Sequence, residues 1–173
     1  MKRVVSVFII LCSVAISAYA TTAGKGVFSV SSTKQVQFAN ALCSYSDNEL
    51  IQWEHVGDVT TSGWDVLTGA EWSYLLVTRD GDGMSKNALG TVKGDSGLII
   101  LPDGWVQPAS IPAFTPVTSG IGYEKNVFSA AQWAVMENAG AVFLPCRGYG
   151  YNDSEDGNKY KEVDTKDHGS YWA

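Results

Sequence analysis

The sequence predicts a single α+β domain, built of two helices and several short strands. Two segments begin with a threonine or serine three residues before a glutamate or glutamine, at Thr68 and at Ser129, which is the capping box of a helix start. Several short segments alternate apolar and polar residues, a pattern typical of half-buried strands. At 173 residues, of which 45% are hydrophobic, the chain is long enough to bury one core.

The first twenty residues have the pattern of a signal peptide. A basic pair at positions 2 and 3 precedes an apolar run over residues 4–16, and a small-residue sequence ends at Ala20. We predict cleavage after Ala20, which leaves residues 21–173 as one domain exported to the periplasm, the cell surface or the extracellular medium. An N-terminal membrane anchor is the alternative, but the apolar run is shorter than the ~20 residues that a spanning helix needs.

The mature protein is predicted to be acidic. Loss of Lys2 and Arg3 takes two from the 12 basic residues, leaving ten against 18 acidic ones and a net charge of −8. Such a chain is repelled by nucleic acid and by anionic lipid. We therefore expect no nucleic-acid partner and no stable membrane span after cleavage of the leader.

Two hairpins are predicted from alternating segments. Residues 27–30 and 34–38 form the first, and residues 88–93 and 98–101 form the second, with residues 94–97 as its turn. Residues 50–56 alternate as well and predict a further strand. The proline-rich stretch from residue 102 to residue 122 is an irregular crossing, because its large apolar side chains would be poor choices for a solvated tether.

Each predicted helix presents an apolar stripe that begins with a tryptophan, Trp72 in the first and Trp133 in the second. We predict that both tryptophans face the sheet as core residues. Gly140 ends the second helix. The apolar run 141–144 then predicts a strand buried on both faces, closed by Pro145, which cannot donate to a ladder.

The chain resembles exported bacterial domains of the major-paralogous-domain family, which look related to the C-type-lectin-like and sulfatase-modifying-factor fold. Three stretches carry the resemblance: Leu67-Thr68-x-x-Glu71-Trp72-x-Tyr74-Leu75-Leu76-x-Thr78-Arg79, Gly97-Leu98-Ile99-Ile100-Leu101-Pro102-Asp103-Gly104-Trp105, and Ala131-Gln132-Trp133-x-x-Met136-Glu137-x-Ala139-Gly140-Ala141-Val142-Phe143-Leu144-Pro145. The resemblance implies a C-type-lectin-like domain with a small, curved antiparallel sheet flanked by two helices. It implies glycan binding, protein binding or, in one branch, oxidation of a cysteine to formylglycine.

The chain departs from the family at its C-terminal end. In relatives, a segment like Gly169-Ser170-Tyr171-Trp172 is followed by further strands that complete the sheet, whereas this sequence stops at Ala173. We predict that the strand over residues 141–144 is left with an open edge. The protein is then less stable than its relatives, or a second chain completes it as a strand-edge homo-oligomer or by donating a strand.

A catalytic site is not expected. The two histidines, His55 and His168, lie in a strand pattern and in a charged tail, so neither is a convincing base. Arg147 directly follows Cys146, and a basic neighbour can activate a thiol, but the paired cysteines of the formylglycine-generating branch are missing. Cys43 and Cys146 form either one disulfide or two buried thiols.

Two acidic loops, residues 80–83 and 152–157, are weak calcium candidates beside the interpretation as solvated turns, and we predict no metal and no cofactor. Four residues have the aromatic and amide or carboxylate composition of a glycan site: Tyr149, Tyr151, Asn152 and Asp153. The sequence thus predicts a non-catalytic secreted or surface-exposed module that binds a glycan or a protein. The alternatives are an enzyme of the formylglycine-generating or a related hydrolytic type and a truncated, inactive paralogue.

Overall fold

The computed structural model describes residues 7–9, 23–39, 65–79, 85–116, 122–146, 148–153 and 159–163. In these ranges the chain is mixed α and β, as predicted. The elements in chain order are strands β1 (Val7–Ile9), β2 (Phe28–Ser29) and β3 (Gln35–Phe38), helix α1 (Gly69–Ser73) continued by a π-helical turn (Tyr74–Thr78), strands β4 (Asn87–Val92) and β5 (Asp95–Ile100), a 3-10 turn (Tyr123–Lys125), strand β6 (Val127–Phe128), helix α2 (Ala130–Asn138), and strands β7 (Val142–Pro145), β8 (Tyr149–Asp153) and β9 (Lys159–Val163).

A four-stranded sheet in the order β6-β4-β5-β7 forms the centre of the described fold. β4 and β5 pair antiparallel, as predicted, and so do β5 and β7, but β6 runs parallel to β4, so the antiparallel sheet that the resemblance implies is only partly right. The long crossing before β6 allows this direction, because parallel neighbours need a long connection. Buried Asn126 fixes β6 in place, since its amide donates to the carbonyls of Leu89 at 3.0 Å and Thr115 at 2.8 Å.

Two smaller sheets accompany the central one. β2 and β3 form the first predicted hairpin. On its other side, β3 pairs in parallel with β1. β1 lies within the predicted signal peptide, so cleavage after residue 20 would remove it. β8 and β9 pair with each other in antiparallel register.

The second predicted hairpin is present with a different turn. Lys93 and Gly94 both have positive φ, 57° and 97°, and form a two-residue turn of the kind that matches the twist of the strands. The predicted turn over residues 94–97 is therefore wrong, and Asp95 opens β5. Gly97 lies inside β5 because a Cβ atom there would approach the Leu144 carbonyl to 2.4 Å.

Both predicted capping boxes are confirmed. The Thr68 hydroxyl accepts the Glu71 N–H at 3.3 Å, and the Glu71 carboxylate accepts the Thr68 N–H at 2.8 Å. Ser129 and Gln132 repeat the arrangement at the start of α2. Gly140, with φ of 99°, ends α2 as predicted, because this backbone conformation is strained for other residues.

The central sheet is covered on both faces. Trp133 of α2 is 3% exposed and packs on one face with Phe143, which confirms its predicted place in the core. The β2–β3 hairpin and α1 cover the other face. Trp72 is only half-buried and contacts Phe38 at the margin of that layer, so its core prediction is only partly right. The prediction that residues 141–144 are buried on both faces is also only partly right, because Val142 and Phe143 are half-buried.

The N-terminal segment touches the end of α2 through two glycines. A Cβ atom at Gly26 would lie 2.1 Å from the Gly140 carbonyl oxygen, a backbone atom that cannot move aside cheaply. We expect Gly26→Ala to lower the free energy of unfolding by about 1–3 kcal/mol through overpacking. Gly69 is the matched control, because no atom lies within 4 Å of its Cβ position. Urea unfolding should show Gly69→Ala unchanged or slightly stabilised, and equal losses in both variants would contradict the close approach.

Candidate functional site

An open groove of about 690 Å³ runs along the edge of β7 that faces away from β5. One wall consists of the segment before β2 together with Phe28 and Phe38, and the other is the face of α2 that carries Trp133 and Ala134. β7 forms the floor between these walls. Since β7 is the last strand of the central sheet in the described part of the chain, this floor presents a strand edge rather than a covered face.

The alternation of the β5–β7 ladder decides which backbone groups of β7 face the groove. The Cys146 N–H donates to the Ser96 carbonyl at 2.8 Å. These two residues continue the register of β5 and β7 by one position, so they form a hydrogen-bonded pair. Antiparallel pairs alternate between bonded and non-bonded types. Val142 and Leu144 therefore bond to β5, whereas the N–H and C=O of Phe143 point away from it.

The rest of this edge has few hydrogen-bond donors. The Ala141 N–H already donates to the Met136 carbonyl at 3.0 Å, and Pro145 has no N–H. By the same alternation, the Ala141 carbonyl points away from β5, as the N–H and C=O of Phe143 do. Over residues 141–144 the groove is therefore offered one N–H, that of Phe143, and the carbonyls of Ala141 and Phe143.

Charged side chains of both signs surround the groove. Lys93 and Asp95 lie at the end next to the β4–β5 turn, and both are exposed. Lys25 closes the other end, where its ammonium group donates to the Asn138 side chain beside the Gly26 contact. The floor and the inner walls are mostly apolar, so the groove suits an apolar ligand with little net charge.

A polar cluster holds the β2–β3 wall on the sheet. The Asp103 carboxylate accepts hydrogen bonds from the Ser29 N–H at 3.1 Å, the Ser29 hydroxyl at 2.7 Å and the Gln35 amide at 2.9 Å. It also forms an ion pair with Arg79, in which a carboxylate oxygen lies 3.3 Å from a guanidinium nitrogen. The Arg79 side chain is 2% exposed and donates to the Leu101 carbonyl at 2.7 Å. The cluster thereby ties the hairpin to the end of β5.

Two carboxyl pKa values are lowered by these contacts. Burial alone would raise the pKa of Asp103, but hydrogen bonds from Ser29 and Gln35 and the charge of Arg79 outweigh it and hold the pKa below its ordinary value of 3.8. Burial is likewise outweighed at Glu71, where the hydrogen bond and charge of Lys34 and the capping bonds of Thr68 hold the pKa below 4.5. Both carboxyls therefore stabilise the fold in their ionised form.

We expect the stability contributed by Asp103 to depend on pH. A carboxyl with a lowered folded pKa contributes fully above its unfolded pKa, and the contribution disappears as pH falls through the folded pKa. The difference in unfolding free energy between the parent and Asp103→Asn should thus be largest near neutral pH and shrink below about pH 4. Urea titrations from pH 7 to pH 3 measure it, and a difference that stays constant would contradict the assignment.

The predicted glycan residues lie on β8 rather than in a loop. Tyr149 pairs with Val163 of β9, Tyr151 with Lys161, Asn152 with Tyr160 and Asp153 with Lys159. The structure thus places the four positions on one short strand, and their role in binding stays a prediction. The rest of the acidic stretch after Asp153 lies outside the described residues.

Several other predicted residues also lie outside the described part: Cys43, His55, residues 80–83, Arg147 and His168. Cys146 is half-buried, and its sulfur lies 3.4 Å from the Tyr123 hydroxyl. Its pairing with Cys43 stays a prediction. In the described ranges no group of three or more acidic, histidine or cysteine residues is placed to hold a metal ion, and no helix there is long and apolar enough to cross a membrane.

No family model, curated protein or solved structure matches this chain. The resemblance to the major-paralogous-domain family and the C-type-lectin-like fold therefore stays a prediction. The groove itself is a feature that sequence reasoning missed, although its floor was predicted as a strand with an open edge.

Proposed function

We propose that the chain is an exported, non-catalytic binding module whose ligand site is the β7 groove, with a surface protein or a glycan as ligand. The proposal combines the predicted signal peptide with the groove geometry. A C-type-lectin-like domain is the finer fold that we propose for it, on the strength of the sequence resemblance.

One observation carries the proposal: an apolar groove lies along a strand edge that has polar groups facing it. Apolar walls favour ligand burial, and a few fixed polar groups orient the ligand, which together are the usual features of a binding site. The wall made by the β2–β3 hairpin is held by the Asp103 cluster, so the groove is preformed rather than assembled by the ligand.

The test uses two arginine substitutions on α2. Ala134 and Ala131 are both exposed on this helix, but only Ala134 lines the groove. The mature protein and both variants are screened against an array of defined oligosaccharides and a library of acetylated heptapeptides. We expect binding that Ala134→Arg weakens by about tenfold or more and that Ala131→Arg leaves unchanged, because only position 134 lines the groove. A tenfold loss of affinity corresponds to about 1.4 kcal/mol.

Circular dichroism and thermal melting establish that both variants fold as the parent does. Binding that survives Ala134→Arg would place the ligand elsewhere and contradict the proposal. A mature protein that binds neither the oligosaccharides nor the peptides would contradict the proposal as well.

A further inference from the structure

Resting on the proposed function, we infer that the ligand is an extended, largely apolar and uncharged segment of another protein, which adds to the central sheet as a fifth strand beside β7. Strand addition at a sheet edge combines backbone hydrogen bonds with side-chain contacts on alternate residues. The groove offers both, because β7 is its floor and the apolar walls lie on either side of that strand.

The backbone groups on the edge specify what the ligand must supply. The carbonyls of Ala141 and Phe143 need two N–H donors, and the Phe143 N–H needs one carbonyl. In an extended peptide the N–H and C=O of every second residue point to the same side. Two ligand residues, i and i+2, therefore provide all three groups, while the residue between them faces away from β7.

A second copy of this chain is a poor occupant. Each copy offers one free N–H over residues 141–145, since Pro145 has none and the Ala141 N–H is already used. Two such edges could form at most two hydrogen bonds. Pro145 thus protects the edge against self-association.

The charges at the rim favour a ligand segment without strong charge. Exposed Lys93 and Asp95 balance each other at one end, and exposed Lys25 and Glu137 do so at the other. An acidic or a basic peptide would therefore meet a like charge at either end. Val142 and Phe143 of β7 are half-buried and line the groove, so they favour apolar residues in the ligand.

The test is a backbone N-methyl scan. The tightest binder from a library of acetylated, amidated heptapeptides is resynthesised with a single N-methyl group at each position in turn, and affinity for the mature protein is measured by fluorescence anisotropy. We expect losses of about tenfold or more at two positions that are two residues apart, and a much smaller loss at the position between them.

Equal losses at all positions, or tolerance at all positions, would overturn strand addition. Oligosaccharide binding that Ala134→Arg abolishes, without peptide binding, would overturn strand addition and leave the proposed function standing. If Ala134→Arg abolishes neither oligosaccharide binding nor peptide binding, both strand addition and the proposed function are contradicted. Size-exclusion chromatography gives a separate check, because a mature protein that dimerises through β7 would contradict the role assigned to Pro145.

Discussion

Replacement of Trp133 by alanine is expected to lower the free energy of unfolding by about 3–5 kcal/mol, enough to unfold a domain of ordinary stability. The side chain is 3% exposed, and its ring centre lies 5.7 Å from that of Phe143. The loss of this ring opens a cavity between α2 and the sheet. Urea unfolding of the parent and of the variant measures the effect.

Trp105→Ala is the matched control, because this tryptophan is only partly buried against the same cluster. We expect a clearly smaller loss there. A Trp133→Ala variant that melts within a degree or two of the parent would contradict the placement of α2 on the sheet.

Replacement of Asp103 by alanine should lower the free energy of unfolding by about 3 kcal/mol. The variant removes the Asp103 carboxylate from the Arg79 guanidinium, whose side chain is 2% exposed. It also removes the acceptor of three hydrogen bonds from β2 and β3. The expected loss is at the low end for a buried pair because the Asp103 side chain is 28% exposed.

Two controls separate the charge from the general effect of substitution. Asp103→Asn keeps an oxygen acceptor and should fall between the parent and Asp103→Ala. Glu124→Ala removes an exposed carboxylate and should change stability by less than about 0.5 kcal/mol. Equal stabilities for Asp103→Ala and Glu124→Ala would show that the cluster does not hold the hairpin.

The local elements were largely predictable because their signals are local. The capping boxes at Thr68 and Ser129 and the stop at Gly140 each depend on residues within one helical turn. The turn of the second hairpin was misplaced because Lys93 gives no sequence sign of its positive φ, and because Gly94-Asp95-Ser96-Gly97 contains residues typical of a turn. The structure uses Gly97 instead for a close approach to β7.

The tertiary features were harder to predict because they join distant residues. Asp103 acts through residues of β2, β3 and the end of the π-helical turn, and none of these is near it in the sequence. The parallel β6 depends on Asn126, a single buried amide without a motif. The groove could be predicted only in part. The apolar run before Pro145 predicted the strand and the family resemblance implied its open edge, but the walls come from a hairpin and a helix about a hundred residues apart.

Amide hydrogen exchange at β7, measured residue by residue by NMR, tests most directly whether this strand is a free edge in a binding groove. We expect the Phe143 N–H to exchange much faster than the N–H groups of Val142 and Leu144, which bond to β5, and to become protected when a peptide binds. A Phe143 N–H that is as protected as its two neighbours in the free protein would show that the edge is already paired, and would contradict the account.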